Sequence, residues 1–430
     1  MRWLLLGYMY LFIHRPFEIW PALGEYRIEW YYMLLTGTVW LIYPGKKWLA
    51  NPLQFAFAAL AGAVFLSWLA SPWSALISGP VETYFKQLVF YVVLITVVSD
   101  EKGLKQVMLG FLIVMSLYIL HSFVEYLNGR HIYRMGIPRM VGVDRTLNDP
   151  NSFSASILYA IPIAAVFWRS QPGRGLRAFL IGYVLLSIVC ILLTGSRTAF
   201  IGLVFVTLAS TVSRRNWWRV AMPVLLLCPV IWLSLPEHLQ NRFVTIVNPD
   251  AGPLSAKESA DGRIMGLIHG LELWQRFPLT GAGPDAFILG SGQSLQAHNL
   301  YGQTAGELGT LGVLALAAVL AAFAWNARQA RRLRAVPGMV PGFLHQVVNG
   351  VSLSVLLLLL LGCGGHNLYR FTWLWYGAFE IIAIACLRAE AAQLTAIWRF
   401  RASRSNLLRH PSRASGSLLR GWALPRMNPS

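Results

Sequence analysis

Apolar stretches of roughly 16 to 25 residues, separated by polar loops, follow one another from the start of the chain to Arg388, and about 20 apolar residues carry a helix across the hydrocarbon core of a bilayer. Twelve such stretches are placed at 3–19, 28–43, 53–70, 81–98, 104–124, 152–168, 176–194, 198–213, 217–235, 299–325, 344–362 and 370–388. They are continuously apolar, whereas a membrane β-barrel would alternate over about 10-residue segments. The pattern predicts an all-α polytopic membrane protein of about 12 transmembrane helices, with residues 1–388 as one transmembrane domain. His14, Arg15 and Pro16 interrupt the first stretch, and if it is only re-entrant the amino terminus changes sides while the later loops keep theirs.

Composition agrees with the pattern: 56% of the 430 residues are hydrophobic, only 13% are charged, and no stretch remains for a soluble domain of ordinary size. The net charge of +18 is spread over short loops and a tail, which argues against a nucleic-acid surface and for the positive-inside rule. "YPGKKW", "DEKGLK", "RSQPGRGLR", "SRRNWWR", "NARQARRLR" and the tail then fall on the cytoplasmic side, and both termini with them. The tail, 389–430, is rich in Ser, Arg and Gly and is expected to be disordered near anionic lipid. Cys190, Cys228, Cys363 and Cys386 lack CxxC spacing, so neither a disulfide framework nor a zinc site is expected. The start, "MRWLLLGYMYLF", is followed by no small-residue cleavage site and reads as an uncleaved span.

Two outer segments exceed simple turns. One, 125–152, carries Arg130, Arg134, Arg139 and Arg145, which runs against the positive-inside tendency; an anionic ligand would supply a local reason. The other, 236–298, is the largest extramembrane piece. Within it Ile264, Leu267, Ile268, Leu271 and Trp274 recur at helical spacing, so an amphipathic helix is predicted on the membrane face, capped by Asp261 and ended by Pro278.

Candidate chemistry gathers at the outer ends of the spans. In "LLTGSRTAF", Leu192–Phe200, Arg197 falls in a first helical turn after Ser196 or Thr194 as cap, where open N–H groups and the helix dipole favour an anion such as phosphate. A snorkelling interfacial arginine is the plainer alternative. Arg263 is placed in the first turn of the amphipathic helix, with an ordinary polar-face residue as its alternative; the "GAG" at 281–283 reads as a turn, with a phosphate cradle possible but weakly signalled. His298 precedes Asn299, a cap for the tenth span, and an imidazole of pKa near 6.5 suits a general base for a hydroxyl nucleophile. The tetrapeptide His-Asn-Leu-Tyr returns at His366, followed by Arg370; shared helix-start chemistry accounts for the repeat, and a pairing of the two sites is the alternative. Lys86 lies four residues after Glu82, a spacing that suits a mutual ion pair, with phosphate as Lys86's second role. No Asp-rich metal motif stands near these residues, and no cofactor is expected. A transporter would hold its site near the midplane between repeats, and the polar groups cluster instead toward one face.

The order "LLTGSRTAFIGL", "GRxxxxxxxxELWQRFPLTGAGPDAF" and "QAHNLYGQTAGELGTLGVL", preceded by "LNDPNSFSASILYAIPI", resembles the O-antigen ligase and O-antigen polymerase superfamily of bacterial inner-membrane glycosyltransferases, over 147–324. The opening "GYMYLFIHRPFEIWPALGEY" is also similar to ligase-like proteins of exopolysaccharide clusters. The resemblance implies a multi-pass inner-membrane enzyme with its site in the large periplasmic loop and adjoining helix ends. The donor would be an undecaprenyl-diphosphate-linked glycan, and the acceptor the lipid A core, a second lipid-linked glycan or a protein hydroxyl. Carried over by motif, Arg197 and Arg263 would hold the diphosphate and His298 would activate the acceptor; Lys86 and Arg370, outside those motifs, are read as further substrate contacts. Guanidinium groups can neutralise the leaving diphosphate without a divalent ion, so a metal-independent, inverting transfer is expected. A lipid-linked glycan flippase is the competing class. The second His-Asn pair and the arginine-rich 125–152 loop depart from the simplest ligase pattern and leave the acceptor open.

Overall fold

The computed structural model describes residues 1–134, 137–144, 149–211, 232–233, 235–246, 248 and 254–409. Helices α1 (Arg2–His14), α2 (Pro16–Ile19), α3 (Pro21–Glu25), α4 (Ile28–Ile42), α5 (Pro52–Ala70), α6 (Ser78–Val97) and α7 (Glu101–Leu127) precede a two-stranded antiparallel ribbon, β1 (Ile132–Arg134) and β2 (Ile137–Arg139). After it come α8 (Pro150–Arg169), α9 (Arg174–Leu193), α10 (Arg197–Thr211), α11 (Glu237–Val244), α12 (Leu254–Arg276), α13 (Phe287–Ser291), α14 (Leu300–Leu333), α15 (Phe343–Gly362) and α16 (Phe371–Arg409).

Among the described residues eight helices are long and apolar enough to cross a membrane: α5 to α9 and α14 to α16. Three further predicted spans are shorter helices, with 13 residues in α1 and 15 each in α4 and α10, while most of the predicted span at 217–235 lies outside the described residues. The helix starts follow from capping chemistry. Asn51 accepts from Leu53 N at 2.9 Å with Pro52 in the first turn, and Asp149 accepts from Ser152 N at 2.8 Å with Pro150 likewise.

Two boundaries differ from the sequence-based expectation. The first span stops at His14, because Arg15 takes a left-handed conformation (φ 49°) and Pro16 starts a new turn, so 3–19 is not one helix. At the other end α16 continues from the last span to Arg409, through a stretch expected to be disordered. "RAEAAQLTAIWRFR" is composed largely of good helix formers, and a helix already nucleated in the core propagates through it at little cost. Residues 410–430 lie outside the described residues.

The first turns of α16 form the centre of the core. Trp375 is fully buried, and the rings of Phe12, Phe90, Phe111 and Phe371 surround it at centroid distances of 4.6 to 6.1 Å. Contacts between helix termini fix two ends of the bundle. At one, Arg2 pairs with Asp100 at 2.7 Å and Asn51 bonds Asn326 at 3.0 Å. At the other, Ser71 reaches Ala282, Arg139 reaches Thr194 and Arg370 reaches Ser156. The candidate residues belong to this second end.

Candidate functional site

Between α9 and α10 the chain reverses through Thr194, Gly195 and Ser196. Gly195 adopts φ 58°, which costs glycine nothing, and Ser196 caps α10 by accepting from Ala199 N at 3.4 Å. Arg197 is therefore the first residue of α10, as the sequence predicts. The turn is held from outside by two buried arginines. Arg139 Nε donates to Thr194 O at 2.6 Å, and Arg242 Nε donates to Gly195 O at 2.7 Å. Arg197 Nη1 in turn donates to Thr245 Oγ1 at 3.1 Å, so a buried guanidinium is aimed by a frame of hydrogen bonds. Arg139 and Arg130 thus have a local reason other than an external anion: Arg130 Nη2 donates to Val143 O at 2.7 Å, and both brace backbone carbonyls. Arg145 and the Arg134 side chain lie outside the described residues.

Arg263 is not in a first turn. α12 begins at Leu254, seven residues before the expected cap Asp261, so Arg263 sits inside the helix and its position is set by packing rather than by a dipole. That packing is a backbone-to-backbone contact between α12 and the start of α14. A Cβ on Gly266 would lie 1.6 Å from Ala297 O, one on Gly270 2.3 Å from Gly302 O, and one on Gly302 2.5 Å from Gly266 O. Gly266 with Gly270, and Gly302 with Gly306, form a small-xxx-small face on each helix. The apolar residues Ile264, Met265, Ile268 and Leu271 point outward from this contact.

The glycine contact fixes α12 against Ala297, and Arg263, one turn before Gly266, comes to lie near Gly364. Replacing Gly266 by Leu should destabilise the protein by about 3 kcal/mol or more, since the overlap is with backbone and cannot be relieved by a rotamer change. Thermal unfolding in detergent would measure it, and an unchanged midpoint would refute the close packing.

α14 itself bends at Gly309 (φ 61°, ψ −154°), which frees carbonyls at the bend. The "PLTGAG" loop takes them up: Ala282 N donates to Gly306 O at 2.8 Å and Gly283 N to Glu307 O at 2.9 Å, while Thr310 N donates to Pro278 O at 2.9 Å. The glycine loop is accordingly a splint for the helix bend rather than a phosphate cradle.

His298 stands immediately before α14 with φ 43°, and Asn299 caps the helix by accepting from Tyr301 N at 3.0 Å and Gly302 N at 3.1 Å. Its ring lies 5.2 Å, centroid to centroid, from the ring of His366. The repeated tetrapeptide therefore marks two loops that meet. It does not repeat the same capping: Asn367 donates to Tyr159 Oη at 3.0 Å and to Leu358 O at 2.8 Å, pinning the His366 loop to α8 and α15. Burial first, then the charges of His298 and Arg370, lower the His366 pKa to about 4 against the opposing pull of Asp149, so His366 is neutral near pH 7.

A cleft beside the two histidines is lined by Ser196, Thr198, His298, Gly364, His366 and Arg370. Arg263 closes one edge, since a Cβ on Gly364 would lie 3.1 Å from both Arg263 Nε and Thr198 Oγ1. Burial, and next the like charge of Arg197, lower the Arg263 pKa. A bound anion would offset both effects, and two guanidinium groups brought together beside a cleft suit one. Arg370 donates to Ser156 Oγ at 2.7 Å and faces the same cleft. Lys86 does not belong to it; it pairs with Glu82 at 2.6 Å on α6 and lines a separate cavity with Arg15 and Trp30.

Sequence reasoning missed Arg242 and Thr245, which with Arg139 fix the Arg197 turn, and the glycine pairs that place Arg263. The glycine spacing was visible as GxxxG in both segments; the others had no local signal.

Residues 182–317 match the family model described as O-antigen ligase, which supports the O-antigen ligase and polymerase superfamily. The O-antigen ligase segment runs from within α9 to within α14 and includes Arg197, Arg263, His298 and the glycine contact; Lys86, His366 and Arg370 lie outside it. The family associates the chain with glycan transfer in a membrane, from a lipid-linked glycan to a glycan acceptor. No curated protein matches the chain.

Proposed function

We propose that the protein is a glycosyltransferase that moves a glycan from undecaprenyl diphosphate to an acceptor hydroxyl at the periplasmic face of the bacterial inner membrane. The observation that supports the reading is proximity: His298 lines the cleft, Arg263 packs against Gly364 on its edge, and Arg197, between the lining residues Ser196 and Thr198, is close enough for its charge to act on Arg263. In the proposed step His298 accepts the proton of the acceptor hydroxyl as its oxygen bonds to the anomeric carbon. The carbon–oxygen bond to the diphosphate breaks, and its electron pair leaves with undecaprenyl diphosphate between Arg197 and Arg263. A base and a leaving group on opposite sides of the sugar give inversion. The arginines meet the charge that develops on the leaving group, which is the part a divalent ion would otherwise play.

Ligase transfer to the lipid A core is favoured by the family description, with the polymerase and protein-acceptor reactions as alternatives. The flippase class is disfavoured because Arg197, Arg263, His298, His366 and Arg370 gather at one end of the bundle rather than along a path through it. The test is reconstituted protein given a lipid-linked glycan and each acceptor class separately, with product anomeric configuration read by NMR. Transfer should proceed with inversion and at the same rate after EDTA treatment. A loss restored by Mg²⁺ would overturn the arginine-only account, and a retained configuration would overturn the single displacement.

A further inference from the structure

A second cavity, of about 250 Å³, opens on the other face of His366 and shares Ser152, His366 and Arg370 with the histidine cleft as a common wall. Its interior mixes the carboxylates Asp144 and Asp285, the amides Gln87 and Gln303, and the ring of Tyr369. These are the groups that hydrogen-bond and stack on a sugar. Several are already fixed by bonds of their own: Tyr118 Oη donates to Asp144 Oδ1 at 2.5 Å, Gln296 Nε2 to Asp285 Oδ1 at 2.9 Å, and Tyr369 Oη to Glu307 Oε2 at 2.8 Å. Gln87 is the exception. It is 7% exposed, and its Oε1 is buried with no hydrogen-bond partner. A buried acceptor left unmet is costly, and a ligand hydroxyl would satisfy it.

The cavity is the first of three adjoining spaces. It shares Phe12, Arg15 and Thr83 with a space between α1, α4 and α6, and that space shares Trp30, Met33 and Lys86 with an apolar groove of about 500 Å³ between α4 and α6. The groove is lined by residues such as Leu34, Leu41, Phe85 and Val89, and charge returns only at its mouth, where Lys86 pairs with Glu82.

We infer that this is the acceptor site, and that the acceptor is a saccharide carried on a lipid: the sugar occupies the cavity next to His366, and the hydrocarbon anchor lies in the α4–α6 groove. The inference rests on the proposed transfer reaction for its division of the site. The donor's polyprenyl chain is bonded to the diphosphate, so it leaves from the Arg197–Arg263 side, where α12 exposes Ile264, Ile268 and Leu271. The groove lies beyond the His366 wall from those arginines and is left for the partner substrate.

Two variants separate the parts. Gln87→Leu removes the unmet acceptor, and Gly37→Trp fills the groove from a position where an added Cβ meets nothing within 4 Å. In bilayer nanodiscs, with lipid-linked glycan as donor, the probes are a long-chain alkyl glycoside bearing a diazirine on its chain and the same sugar free in solution. Gln87→Leu should raise KM for both acceptors by about tenfold, the effect of one lost hydrogen bond, with donor KM unchanged. Gly37→Trp should raise KM for the long-chain acceptor alone, and photolysis should label α4 and α6 in the parent protein and not in Gly37→Trp. A rise in donor KM in Gly37→Trp would give the groove to the prenyl chain, and label elsewhere with both KM values unchanged would remove the acceptor site; either overturns the inference. Absence of transfer by the parent protein to every acceptor would instead strike the proposed reaction, and the labelling pattern would still decide the groove.

Discussion

His298→Ala should lower the turnover of glycan transfer by about 10²–10⁴-fold, the contribution of a positioned general base, while donor binding stays close to that of the parent protein. The expectation follows from placement: His298 is on the wall of the cleft, Arg197 is held by its own bond to Thr245, and Asn299 rather than His298 caps α14. Removing the imidazole therefore takes away the proton acceptor and leaves the anion site standing. Single-turnover transfer and donor binding, measured on the same preparation, separate the two. The pH dependence adds a second readout. Transfer needs an unprotonated imidazole at position 298, so the rate should fall as pH drops. Burial keeps His366 neutral near pH 7, so it adds no charge of its own to the site there. A flippase would keep translocating lipid-linked glycan in His298→Ala. Transfer at the parent rate in this variant would end the assignment of the base.

The hydrophobic spacing made the helical bundle legible because the bilayer imposes a length on every crossing, and α5 to α9 and α14 to α16 lie where that spacing put them. Capping chemistry was equally local: Ser196 and Asn299 do what their positions before apolar runs predict. The misreadings share a different origin. Arg263 was assigned to a first turn because Asp261 is a good cap by type, yet tertiary packing carried the helix back to Leu254. Arg130 and Arg139 look like anion ligands by charge and loop length, but both bond carbonyls, Arg130 that of Val143 in the same loop and Arg139 that of Thr194, 55 residues away. The His298–His366 contact joins loops on either side of α14 and α15, and a repeated tetrapeptide alone does not say that its copies meet. The chemistry-bearing residue types were readable; which of them the fold brings together was decided by glycine contacts and buried carbonyls that carry no charge signature.

Arg263→Lys should reduce kcat/KM for transfer by about 10²–10³-fold, the scale of losing one fixed charge donor at a transition state, and Arg197→Lys should do the same. Lysine keeps the charge in both variants, so a purely coulombic attraction for the diphosphate would survive. What is lost is the planar fork that can hold two oxygens at once, and a flexible ammonium pays more entropy to stand in one place. The two positions differ in how they are held. Arg197 is aimed by Thr245 and by the Arg139 and Arg242 braces on its turn, so its loss should fall mainly on turnover. Arg263 is half-buried next to a like charge, a strain that a bound diphosphate would relieve, so its loss should fall on donor KM as well. Because both act on one ligand, the double variant should be less damaged than the product of the single effects. Steady-state kinetics on the four proteins, with folding checked by thermal unfolding, would measure the coupling. Independent, multiplicative losses would place the two guanidinium groups on different ligands, and parent activity in both single variants would remove the clamp altogether.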